Sequence, residues 1–183
     1  MEGLLKELTF FGEIDKVKIA IDRLKNFEPE EGYFLAFSGG KDSVAIYRLA
    51  QMAGVKFDAH YQITTVDPPE LVQFIKAEYP EVQRHRPEKT MWQLIEENGM
   101  PPLRQMRYCC RILKEKGGEG RTVVTGIRRE ESNKRAGRRM VENCMKEGSN
   151  KIYVNPIIDW TSQEVWEFIK TYNVPYCKLY DEG

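Results

Sequence analysis

Histidine, cysteine and net charge are scarce in this 183-residue chain, and each shortage closes off a class of function. The two histidines, His60 and His85, stand in no Cys/His ligand spacing, so no structural zinc or other metal site is expected. Four cysteines are too few for a disulfide scaffold, and Met1-Glu2-Gly3-Leu4-Leu5-Lys6-Glu7 carries acids where a signal peptide would be apolar. Lys plus Arg (28) equals Asp plus Glu (28), so no overall field gathers nucleic acid or an anionic membrane. No apolar run reaches the ~18 residues of a membrane span. Repeats, low-complexity stretches and long flexible linkers are absent too. The expectation is a cytoplasmic chain with reduced thiols and no membrane association.

What is present suits a globular fold: 41% of residues are hydrophobic and 31% charged. The length fits one domain of ~100–200 residues, so residues 1–183 are read as a single domain with 1–30 as a helical lead-in. Ile14, Val17, Ile21 and Leu24 recur at helical spacing, which predicts a helix over 13–26. Tyr33-Phe34-Leu35-Ala36-Phe37 is short and wholly apolar, as in a strand buried on both faces. A helix over 42–52, closed by Gly54, follows a Ser/Gly loop. Strands are predicted at 57–64, 82–85, 121–127 and 151–155. Helices are predicted from Pro68/Pro69 to about 78, from a Thr90 cap to 97, over 106–116, and from Thr161 to 172. The alternation implies an open α/β fold: a mostly parallel, twisted, Rossmann-like sheet with helices on both faces and ligands beyond the carboxyl ends of its strands.

At one such end lies Ser38-Gly39-Gly40-Lys41-Asp42-Ser43. Paired glycines let several backbone N–H groups converge, the next helix contributes the positive end of its dipole, and Lys41 adds a full charge. Ser38 and Ser43 offer hydroxyls, while Asp42 suits a helix cap or a Mg²⁺ ligand. The Walker spacing is absent, so an ordinary P-loop is excluded. The plain alternative is a strand-to-helix turn with serine caps.

This string resembles the PP-motif of the adenine-nucleotide α-hydrolase superfamily, the ATP pyrophosphatases. Val66-Asp67, Thr125-Gly126-Ile127-Arg128-x-x-Glu131-Ser132-x-x-Arg135 and Asn155-Pro156-Ile157-Ile158-Asp159-Trp160-Thr161-x-x-Glu164-Val165-Trp166 narrow the resemblance to the phosphoadenylyl-sulfate reductase branch, over about residues 33–172. The resemblance implies nucleotide contacts from Ser38, Gly39, Gly40, Lys41, Asp42, Ser43, Asp67, Gly126 and Arg128, with Asp67 near the ribose. Because Pro68 and Pro69 follow it, a helix-capping role for Asp67 stands beside that one. Lys41, Arg128 and Arg135 are the implied catalytic residues, the arginines gripping phosphate or sulfate. Between Arg121 and Lys146, eight basic residues face three acids, an excess of +5 that reads as an anion-binding wall. Trp160 and Trp166 read as core packing.

The intact loop points to Mg²⁺-ATP cleaved between its α- and β-phosphates, with adenylyl transfer to an unidentified acceptor and sulfur metabolism as the setting. The alternatives are a thiol-dependent reductase of adenylyl or phosphoadenylyl sulfate, and a non-catalytic nucleotide-binding module of a larger assembly. Nucleic acid stays open as an acceptor, though no base-reading module is seen. Cys109-Cys110 resembles the first half of an iron–sulfur site in relatives of this family. Completing four thiolates would need more cysteines in a longer natural chain, beyond Tyr180-Asp181-Glu182-Gly183.

Overall fold

The computed structural model describes residues 4–9, 12–103, 105–144 and 149–182. A hairpin opens the chain: β1 (Lys6–Thr9) pairs antiparallel with β2 (Gly12–Asp15), and α1 (Lys16–Asn26) follows directly. The helix predicted from residue 13 therefore starts three residues later. Asp15 caps it, its carboxylate accepting from the Lys18 N–H at 3.0 Å.

The main sheet comprises β3 (Tyr33–Phe37), β4 (Phe57–Gln62), β5 (Gln83–His85), β6 (Thr122–Val124), β7 (Val141–Asn143) and β8 (Ile152–Val154). Their spatial order is β5-β4-β3-β6-β8-β7, and every pairing is parallel except β7 with β8. The intervening helices are α2 (Lys41–Ala53), α3 (Pro69–Glu78), α4 (Met91–Asn98), the single turn α5 (Asn133–Ala136) and α6 (Ser162–Thr171). The chain runs outward from β3 through β4 to β5, then returns to place β6 on the other side of β3. That reversal opens a crevice at the carboxyl ends of β3 and β6, the usual ligand position in such sheets.

Register fixes which side chains share a face. Tyr33, Leu35, Phe37, Ala59, Tyr61, Val124 and Val154 point one way and join the buried cluster that includes Ala20 and Leu24 of α1, Val44 of α2 and Phe168 of α6. Phe34, Asp58, His60, Gln62, His85 and Val123 point the other way. The cover on that second side is thinner. Backbone at Gly117 and Gly118 lies against the Phe34 ring, and the Gln62 side chain donates to the Lys116 carbonyl at 3.2 Å. The helix predicted over 106–116 is reduced to one π-helical turn, Cys110–Lys114. Such turns are rare, and they concentrate at functional sites.

Both sequence-predicted caps are full capping boxes: Thr90 with Gln93 on α4, and Thr161 with Glu164 on α6. Glu164 is buried and also receives the Lys16 ammonium at 2.5 Å, tying α6 to the start of α1. Trp160 is buried and meets Phe168 edge-on, whereas Trp166 is only partly buried. Among the described residues, no helix is long and apolar enough to cross a membrane.

Candidate functional site

The Ser38–Ser43 loop turns at the carboxyl end of β3, and its geometry explains its sequence. Gly39 has φ +72°, and a Cβ there would stand 2.7 Å from Leu71 Cδ1 and 2.9 Å from Ile75 Cδ1 of α3. Glycine is thus required twice, for the left-handed backbone and for the close approach of α3. Gly40 caps α2, and the Ser43 hydroxyl donates back to the Gly40 carbonyl at 2.8 Å. The first-turn N–H groups of a helix have no acceptor within it. Here the Lys41 N–H donates to the Tyr180 hydroxyl at 3.1 Å, carried on the 3₁₀ turn Lys178–Tyr180.

Across the crevice, Gly126 lies so close to α2 that a Cβ would stand 2.9 Å from Asp42 Cβ and 3.0 Å from its backbone. Two residues on, Arg128 is 3% exposed. Its Nε donates to Asp42 Oδ1 at 2.6 Å, and its terminal nitrogen to Glu130 Oε2 at 2.9 Å. Asp42 also receives the Lys41 ammonium at 3.0 Å. Asp42 therefore does not cap α2. It is a half-buried joint between the loop and the arginine segment, one oxygen meeting Arg128 and the other Lys41.

Three further arginines of the segment are paired with acids. Arg135 pairs with Glu131, Arg138 with Glu142, and Arg121 with Asp58. The anion-binding wall expected from the +5 excess is thus reduced, Asp42 and Asp58 bringing the balance to +3. Two of the compensating acids, Asp42 and Asp58, come from outside the window in which the charge was counted. Lys146 lies outside the described residues.

Beside the loop is a cavity of about 600 Å³, within the size range of small-molecule sites. Ser38, Gly39, Gly40 and Asp67 line it, whereas Lys41, Asp42, Ser43, Gly126, Arg128 and Arg135 do not. Asp67 turns back to accept from the Thr64 N–H at 2.7 Å, and α3 is capped by Pro68 without a side-chain bond. The capping role for Asp67 is not observed. Next to it, the Tyr61 hydroxyl is buried with no hydrogen-bond partner, unusual among the described residues. Burial and the nearby Asp67 charge both push its phenol pKa up. Lys114, on the π-helical turn, brings an exposed ammonium to the wall, and Cys177 a buried thiol.

Sequence reasoning passed over Tyr61, Lys114 and Tyr180, and it set Cys177 aside because Pro175-Tyr176-Cys177-Lys178 does not match the cysteine segment that the resemblance implies for reductases. The one available signal was the sheet register, which sets Tyr61 opposite Phe37 at the mouth of the loop.

Cys109 and Cys110 are half-buried and absent from the cavity wall. Burial, then the neighbouring Cys110, pushes the Cys109 thiol up, away from the reactive thiolate. Among the described residues, no group of three or more Cys, His, Asp or Glu side chains is placed to hold a metal ion. A four-thiolate cluster is therefore not assembled from the described cysteines.

An open, mostly parallel sheet with a glycine loop, a helix N-terminus and a cavity at its reversal point defines an α/β domain of the nucleotide-binding class. Residues 32–183 match the phosphoadenosine phosphosulfate reductase domain, and the chain belongs to that family. An adenosine 5′-phosphosulfate reductase of Oceanobacillus iheyensis is 34% identical over 134 residues, covering 69% of this chain and 53% of the relative. The chain spans about half the length of curated relatives that it matches. Phosphoadenylyl-sulfate reductase from Candida auris shares the fold, with TM-score 0.65 and 18% identity over 90% of this chain and 84% of that one. FMN adenylyltransferase from Candida glabrata is similar at TM-score 0.58 and 13% identity, over 90% and 59% of the two chains.

Proposed function

We propose that the chain binds an adenine nucleotide in the 600 Å³ cavity and acts on adenylyl sulfate or its 3′-phosphorylated form, as a thiol-dependent reductase. The observation that carries this reading is the meeting on one wall of the phosphate loop, Asp67 and a thiol, Cys177. Family membership and the reductases among its relatives support it over the ATP cleavage expected from the loop string alone.

In this reading the loop amides and the α2 dipole hold the nucleotide phosphate, and Asp67 and the unpartnered Tyr61 hydroxyl receive the ribose. Lys114 balances the sulfonyl charge. Arg128 acts as a positioning residue: it fixes Asp42, and so the first turn of α2. The Cys177 thiolate attacks the sulfonyl sulfur, an S–S bond forms, the S–O bond to phosphate breaks, and AMP, or its 3′-phosphorylated form, leaves with that electron pair. A second thiol equivalent then releases sulfite and leaves a disulfide.

A second reading, adenylyl transfer from Mg²⁺-ATP, is favoured by one observation, the intact Ser38–Ser43 string ahead of α2. The metal would enter bound to the nucleotide's phosphates. Calorimetric titration with adenosine 5′-phosphosulfate and with Mg²⁺-ATP separates the two. The expected result is tighter sulfonucleotide binding, kept in Cys177→Ser while sulfite release is lost. Tighter Mg²⁺-ATP binding, weakened by Lys41→Ala and accompanied by pyrophosphate release, would replace the first reading with the second.

A further inference from the structure

Five arginines of this protein pair with carboxylates: Arg23, Arg121, Arg128, Arg135 and Arg138. Arg107 and Arg111 do not. Both are exposed, and neither has an acid partner among the described residues. They stand four residues apart at the head of the π-helical turn, where the Cys110 N–H donates to the Arg107 carbonyl at 3.1 Å. Residues at that spacing are neighbours on a helical surface, and like charges there repel. An anion between them would relieve the repulsion.

Both side chains line a cavity of about 390 Å³ that shares no lining residue with the nucleotide cavity. Its other walls are Asn98, Met100, Met106 and Tyr108, with no acid among them. The Tyr108 hydroxyl donates to the Met100 carbonyl at 2.7 Å, and the Asn98 amide nitrogen to the Leu94 carbonyl at 2.7 Å. Tyr108 keeps its oxygen lone pairs and Asn98 its amide oxygen, so both remain acceptors. Met100 and Met106 are 38% and 47% exposed, and their thioethers adapt to an apolar body. Lys114, three residues beyond Arg111 on the same turn, lines the nucleotide cavity, so the two cavities meet across one turn of backbone.

We infer that this cavity is a second ligand site, for a sugar phosphate. The phosphate lies between Arg107 and Arg111, whose planar forks match its oxygens and whose two charges match a phosphomonoester dianion. Hydroxyls of the sugar donate to Asn98 and Tyr108, and its carbon skeleton rests on the two methionines. A single carboxylate would leave one guanidinium unmatched. Inorganic phosphate would leave the acceptors and the thioethers without a partner. The inference does not rest on the reductase reading, because none of the six residues contributes to that site.

Titration with ribose 5-phosphate tests it, followed by nitrogen-15 NMR of the arginine Nε–H groups, with Arg107→Lys and Arg111→Lys to identify the two signals. Reading these side chains separates the site from the phosphate loop. Both signals are expected to move together along one isotherm, and Arg107→Gln or Arg111→Gln should weaken binding about tenfold or more, as for a lost charged hydrogen bond. Inorganic phosphate should move the same signals with about tenfold lower affinity. Asn98→Ala should bring ribose 5-phosphate down towards that level and leave inorganic phosphate unchanged. Arg107 and Arg111 are exposed, so their variants should keep the wild-type urea midpoint, which separates lost binding from lost folding. Signals that stay put, whether or not the amides of the Ser38–Ser43 loop shift, would overturn the inference. Equal affinities for inorganic phosphate and ribose 5-phosphate would also overturn it. So would equal displacement of both signals by chloride, the behaviour of ordinary screening.

Discussion

On one face of the central sheet Leu35, Ala59 and Val124 meet the helices as unbroken hydrocarbon, whereas the other carries Asp58, His60, His85 and Arg121 joined end to end by hydrogen bonds. The first face draws on apolar burial, which is roughly proportional to area and indifferent to direction. The second depends on angles and protonation, and each of its groups would be costly without its neighbour. Both cavities that take in His60 reach this second side, and the larger also takes in Phe37 and Tyr61 of the first. The directional chemistry thus lies where the cover is light, and the hydrocarbon face anchors it from behind.

The largest expected effect falls on the hydrocarbon face. Leu35→Ala, at a fully buried position, should lower the unfolding free energy by about 3–4 kcal/mol in urea titrations, at neutral and acid pH alike. Arg128→Ala comes next, at about 3 kcal/mol: it strands a partly buried Asp42 with Lys41 as its remaining cation. Nucleotide affinity should fall with it, because Asp42 sits in the first turn of α2. Gly126→Ala presses a Cβ onto α2 and should cost about 2 kcal/mol, weakening nucleotide binding more than its stability cost alone accounts for.

The smallest effect is the one confined to the polar face. The folded Asp58 carboxyl lies below its ordinary 3.8, so its contribution is present above that value and fades as pH falls through the lowered one. Between about pH 5 and about pH 3, the wild-type urea midpoint should therefore fall more steeply than that of Asp58→Asn. Asp159 supplies a matching acid-labile contact, since the bonds from Arg23 outweigh burial and hold it low. Its persistence in Asp58→Asn sets the residual slope. Equal slopes in the two proteins would mean that Arg121 and His60 do not stabilise the ionised carboxylate.

The hydrocarbon face was legible in the sequence because its signals are local. The apolar run Tyr33–Phe37, the Thr90 and Thr161 caps and the Gly54 closure of α2 each announce themselves within a few residues. The β1–β2 hairpin and the antiparallel edge strand β7 were not announced, being short pieces defined by their partners. The Ser38–Gly40 turn could be read from its residues, and the cavity beside it could not. Asp58, His60 and His85 look unremarkable along the chain, and become a chain of bonds only once β4 and β5 lie in register. Compensation of the arginines was hidden for the same reason: their carboxylates lie as far away as 86 positions, from Asp42 to Arg128.

The Tyr180 hydroxyl that accepts the Lys41 N–H belongs to a ring lying edge-on to Trp166, with centroids 5.2 Å apart, and Tyr176 meets the same indole at the same distance. An anion claiming that N–H must push the hydroxyl aside and turn the phenol against the indole. An anion bound at the Lys41 N–H is therefore expected to change Trp166 emission.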